Sequence, residues 1–287
     1  MTTHMRMTLA GTLSAFLLAS AAVAQTPGAS QAATNPDPNM TRPIPARASL
    51  FLQELTWLEV RDAIRSGKTT VIVATGGIEQ NGPYLVLDKH NVVLRATTEA
   101  IAKKLGNALV APIIAFVPEG TISPPSGHMR YPGTISLTED TFQRLLTDIA
   151  NSLRQHGFTH VILIGDSGGN QAGMRAVAER LASEWAGSGV SVHYIPEYYD
   201  YPGVYRWLES QGVHQVDEGF HDDFQITSTM MAVDPTTVRM QERLAVGRFS
   251  INGVNLAPAD SAIAWGRRVV EWRADKTVEA IRKAIGK

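Results

Sequence analysis

The sequence predicts an α/β fold, a three-layer α/β/α sandwich on a mostly parallel sheet. Apolar, β-branched runs at residues 69–74, 108–114, 161–164 and 190–195 alternate with amphipathic segments of about ten to fifteen residues, the pattern of repeated βαβ units. The runs are apolar almost throughout, which marks strands covered on both faces. Polar residues gather just past the ends of two of them, where an open α/β sheet binds its ligands.

Taken in order, Thr56 stands as an N-cap with Glu59 three residues on, so a helix starts there and stops at Gly67. TTVIVA (residues 69–74) is a central strand, and it leads into the polar loop TGGIEQNGP (75–83). Residues 91–105 have helical period, 108–114 are strand-like, and 117–132 form a Gly/Pro/Ser segment that holds His128. Residues 138–156 return to helix, with Thr138 or Thr141 as cap and Gly157 as stop. VILIGDSGGNQ (161–171) is a strand, a tight loop and the start of a helix that runs to residue 185. VSVHYI (190–195) is a further strand, followed by an aromatic stretch over 198–207 that suits core or subunit contact, with a substrate platform as the alternative. Residues 225–233 read as helix, and 259–284 as one long helix or a pair.

At 287 residues, with 44% hydrophobic and 18% charged, the chain can bury a substantial core. A net charge of −1 without a long basic run argues against nucleic acid or an anionic membrane as partner. Arg6, the apolar run 9–21 and Ala22-Val23-Ala24 form a signal-peptide pattern over residues 1–24, so the mature chain is expected to be exported, periplasmic or secreted. That run is too short to span a bilayer. Residues 25–48, rich in Pro, Ala and Thr, are expected to form a flexible arm, and residues 49–287 one domain. There is no cysteine, which excludes disulfides and thiolate-bound metals.

Two sets of residues carry the chemistry. Gly165-Asp166-Ser167-Gly168-Gly169 fits the G-x-S-x-G nucleophile elbow between strand and helix, with Asp200 or Asp217 and His221 as candidate partners. A trypsin-like reading of GDSGG fails, because that fold is all-β and its His and Asp come first. The other set uses more of the chain. EQNGPYLVL (79–87), YPGTISL (131–137), SGGN (167–170), residues 221–228, and Gly253-Val254 with Pro258 resemble, in order and spacing, the creatininase (creatinine amidohydrolase) family.

This resemblance implies an α/β/α sandwich, a homo-oligomer that is frequently a hexamer, and a two-metal site that hydrolyses a cyclic amide or formamide-type C–N bond. It also exposes departures at the ligand positions. Asn81, His90, Ser167 and Ile226 stand where the family has His, Asp, His and Glu, and only Glu79 is kept. Asn and Ser are poor metal donors and Ile is none, so the dinuclear centre is expected to be absent.

Two arrangements stay open: a single zinc or manganese ion on Glu79, His90 and Asp166, or a metal-free site with Glu79 as base and His90 or His128 as acid. Ser167 as nucleophile, with His90 or His221 as base, is a third. Asn81, Asp166, Asn170 and His221 are expected around the substrate, a small polar, cyclic amide or lactone. Asp88, Asp222 and Asp223 are further donors near the same strand ends. A lyase or isomerase using the Glu/His pair, and an inactive binding protein that keeps the pocket, are the alternatives from other classes.

Overall fold

The computed structural model describes residues 35–286, so the expected signal peptide and part of the expected arm lie outside it. The chain divides into two units at Pro43. In the described part of the first, a turn closes where the Met40 N–H donates to the Asp37 carbonyl (3.0 Å).

The second unit holds α1 (Trp57–Arg65), β1 (Thr70–Thr75), α2 (Lys89–Leu105), β2 (Ala108–Val110), α3 (Glu139–Gln155), β3 (His160–Gly165), α4 (Gln171–Glu184) and β4 (Ser191–Tyr194). It continues with α5 (Tyr201–Ser210), α6 (Phe224–Val233), α7 (Met240–Ala245), β5 (Ser250–Ile251), β6 (Val254–Asn255) and α8 (Ala259–Ala284). The capping box at α1 forms as its sequence requires: Thr56 Oγ1 accepts from the Glu59 N–H, and the Glu59 carboxylate accepts from the Thr56 N–H. Thr138 caps α3 by accepting from the Thr141 N–H. β2 is shorter than the 108–114 run, because Pro112 brings no N–H to the ladder; the chain rejoins β1 by a bridge at Ile114. The C-terminal segment is one helix.

The strands pair in parallel in the order β2-β1-β3-β4, with Ile72 beside both Val110 and Ile162. Alternation along each strand then divides the core. Val71, Val73, Val161 and Leu163 pack with Phe142 and Leu146 of α3 and Met174, Val177 and Leu181 of α4. Ile72, Ala74, Ile162 and Ile164 face Leu94 and Ile101 of α2 and Ala274, Val278 and Ile281 of α8. Burial of each large side chain contributes about 1.5–3 kcal/mol, which favours this covered sheet over any half-exposed one. The three layers are those the strand pattern predicts.

A further apolar cluster, with Val204, Leu208, Phe224, Met230 and Val269, joins α5, α6 and the first half of α8. α5, α7 and the β5–β6 hairpin were not foreseen from the sequence; α7 and the hairpin are short, and the period of α5 is carried by the aromatic stretch. Among the described residues no helix is long and apolar enough to cross a membrane.

Candidate functional site

The loop after β1 is folded by its own polar groups. Asn81, fully buried, donates through Nδ2 to the carbonyls of Glu79 and Val86, and Asn91 donates to the carbonyl of Gly77. At Gly77 φ is +158°, and a Cβ there would stand 2.1 Å from Glu119 Oε1, so only glycine lets the loop come this close to that carboxyl. Glu79 is thereby turned inward with 1% exposure.

Four nitrogens converge on Glu79. Oε1 lies 2.7 Å from His90 Nε2, 3.0 Å from His221 Nε2 and 3.2 Å from Lys89 Nζ, and Oε2 lies 3.2 Å from His128 Nε2. Burial alone would raise this carboxyl. The hydrogen bonds from His221 and His90 and the charges of His90 and Lys89 overcome burial and hold it well below the usual range. Glu79 is thus a fixed anion and a weak base. Glu119 behaves oppositely: burial, then the adjacent Glu79 carboxylate, pushes it up to about 9. One carboxyl of the pair is charged and the other neutral at pH 7.

His90, the second residue of α2, is held from both sides. Its Nδ1 is 2.9 Å from Asp166 Oδ2 and its Nε2 is 2.7 Å from Glu79 Oε1, so both ring nitrogens face carboxylates. Asp166, at the end of β3 and fully buried, in turn accepts from Arg273 of α8 (2.6 Å). Burial would raise Asp166, and the Arg273 charge with the His90 hydrogen bond lowers it below the usual carboxylate range. The guanidinium also stands over the Tyr198 ring, 4.4 Å from its centroid. Arg273, Asp166, His90 and Glu79 form one chain of alternating charge.

Beside this chain lies a cleft of about 670 Å³, lined by Lys89, His221, Tyr199, Tyr201 and Tyr205 with Asp222 and Asp223. Burial pushes the three tyrosine hydroxyls up, so they stay neutral. Tyr199 and Tyr201 are 4.9 Å apart between ring centres and make one aromatic wall. His221 reaches Glu79 from a left-handed backbone position (φ 61°), and its ring is 4.4 Å from that of His128.

The expected residues therefore separate. Glu79, His90, His128 and His221 meet as one cluster. Asn81, Asp166 and Asn170, expected around the substrate, lie buried behind it. Asn170 donates to the Thr75 and Gly76 carbonyls and braces the β1 end. Ser167 sits in relaxed extended backbone (φ −109°, ψ 146°), unlike a strained elbow, its Oγ donates to Glu119 (3.4 Å), and among the described residues no histidine is hydrogen-bonded to it. The partners proposed for it are engaged elsewhere: Asp200 caps α5, Asp217 accepts from the Gly219 N–H, and His221 is on Glu79. The metal set of Glu79, His90 and Asp166 also changes, since both nitrogens of His90 are committed to carboxylates. Lys89, Glu119 and Arg273 were missed; the Gly76-Gly77 pair, which permits a close approach, was the available sign of Glu119.

Among the described residues, Glu79, His128 and His221 offer ligand atoms that all lie within 4.8 Å of one another. Two imidazoles and a carboxylate with an open side suit a single divalent ion. At three positions where the resemblance places ligands, Asn81 gives its Nδ2 to carbonyls, Ser167 its hydroxyl to Glu119, and Ile226 brings no donor.

The sequence model of the creatininase family, described as creatinine amidohydrolase, matches residues 53–281. Creatinine amidohydrolase of Pseudomonas putida is 25% identical over 195 residues, 66% of this chain and 74% of that protein. A mycofactocin precursor peptide peptidase of Mycolicibacterium smegmatis is 27% identical over 124 residues, 42% of this chain and 47% of that one. A solved structure described as "Creatininase Mn" has a TM-score of 0.62 at 22% identity and covers 83% of this chain and 100% of its own. A mutant creatininase of "Zn-Zn type" has a TM-score of 0.60 at 22% identity, over 84% and 100%. These structures share the fold described above. With its sheet, its loop order and most of its length matched, the chain belongs to the creatininase family.

Proposed function

We propose that the protein is an exported hydrolase that cleaves the C–N bond of a small polar, cyclic amide bound against the tyrosine wall, using one divalent ion, zinc or manganese. The observation that carries this reading is the convergence of Glu79, His128 and His221 at the edge of the cleft. An ion held by those three would polarise the amide carbonyl and acidify a water. The chain's own residues do the rest. Tyr199 and Tyr201, tilted 50° to each other, offer an apolar corner to a small ring, and the Tyr201 and Tyr205 hydroxyls, which donate to Asp166 and Asp223, can still accept a hydrogen bond. Glu79 stays ionised as ligand, and the Arg273–Asp166–His90 chain fixes its orientation.

The test is metal analysis of the purified protein, with a screen of cyclic amides, formamides and lactones before and after chelation. Close to one ion per chain is expected, with turnover lost on chelation and regained with zinc or manganese. Glu79→Gln is expected to lower kcat at least about 10³-fold, since it removes the anionic ligand. Two tightly bound ions per chain, or full turnover in Glu79→Gln, would overturn the reading.

A further inference from the structure

We infer that Lys89 is a resident counter-cation of Glu79 that competes with the divalent ion, so the pocket folds without the ion and holds it loosely. This rests on the single-ion reading above. Glu79 is cut off from water, and a carboxylate so placed needs compensating positive charge. Lys89 supplies it: its ammonium is 3.2 Å from Oε1, its side chain is 5% exposed, and among the described residues it pairs with no other carboxylate. His90 is already divided between Glu79 and Asp166, so its charge is shared.

Competition follows from the geometry of one oxygen. Oε1 faces His90, His221 and Lys89 at once, three donors for two lone pairs. An ion held by Glu79, His128 and His221 would meet the Lys89 ammonium at the same carboxylate, where it would either take the ammonium's place or be repelled by it at short range. The backbone cannot withdraw, because Lys89 starts α2 beside the doubly anchored His90. The side chain can, since Lys89 also lines the cleft. Ion entry is thus coupled to a swing of Lys89 into the space that a substrate uses.

The experiment is calorimetric titration of Zn²⁺ into the ion-free full chain and its Lys89→Met and Lys89→Arg variants, with melting temperatures recorded with and without Zn²⁺. Lys89→Met is expected to bind Zn²⁺ at least tenfold more tightly than the wild type. Its ion-free form is expected to melt lower, with the loss recovered by Zn²⁺, while Lys89→Arg stays near the wild type on both measures. Equal or weaker Zn²⁺ binding by Lys89→Met overturns competition, and an unchanged ion-free melting temperature overturns the counter-charge role. If no form binds Zn²⁺, the single-ion reading fails and the melting data alone judge Lys89. Should Lys89→Met be insoluble, the double variant Glu79→Gln/Lys89→Met decides: removing both charges should restore a soluble, cooperatively melting protein, and an insoluble double variant sinks the inference.

Discussion

The loops that leave β1 and β3 stand side by side at one edge of the sheet and do opposite work. The β1 loop gathers charge: Glu79 draws in His90, His128, His221 and Lys89, and two of these open onto the cleft. The β3 loop turns inward. Asp166 and Asn170 are fully buried and Ser167 is 5% exposed, and their bonds go to Arg273, to the β1 carbonyls and to Glu119. In GDSGG, the string with the more catalytic look, the polar side chains of Asp166 and Ser167 are bonded to neighbouring buried groups. A motif specifies a turn; the neighbours of its side chains decide whether that turn reacts.

The contrast can be broken at the brace. Arg273→Met leaves Asp166 buried without its cation and is expected to cost about 3–5 kcal/mol in urea unfolding, with loss of the His90 orientation. A cost below about 1 kcal/mol would show that the β3 loop needs no such brace. Acid sharpens the same point. The Asp166 carboxyl is lowered by folding from a value near 3.8, so its contribution is complete above that pH and is lost as the pH falls through the folded value. The stability gap between wild type and Asp166→Asn should be constant from pH 7 to about 4 and narrow below it; a gap that narrows on the alkaline side contradicts the assignment. The smallest effect belongs to Ser167→Ala. One long hydrogen bond is lost, so stability should fall by no more than about 1 kcal/mol and turnover should stay within about twofold. A collapse of turnover would return the β3 loop to chemistry.

The sheet was legible because its inner strands β1 and β3 are buried almost throughout and built mainly from apolar, β-branched residues, and α1 and α3 were legible through Thr56 and Thr138, whose caps act over three residues. Glu79, His90, His128 and His221 were legible as candidates from motif likeness. Their grouping was not, because His221 meets Glu79 across 142 residues and Arg273 meets Asp166 across 107. Nothing local to Arg273 distinguishes it from the exposed Arg267 and Arg268 of the same helix. Glu119 lies in a loop without period, and its neutrality comes wholly from burial and a carboxylate distant in sequence.

α8 carries a consequence of its own. Its first half is built into the cluster under the cleft, its second half into one face of the sheet, and Arg273 lies where the two meet. The helix is a beam across two cores, and the electrostatic charge on Asp166 hangs from its middle. Fraying of the last turns is local, but once opening reaches Arg273 the anchor of His90 goes with it. Opening of α8 as far as Arg273 is therefore expected to loosen Asp166 and His90 together, although they lie far apart along the chain.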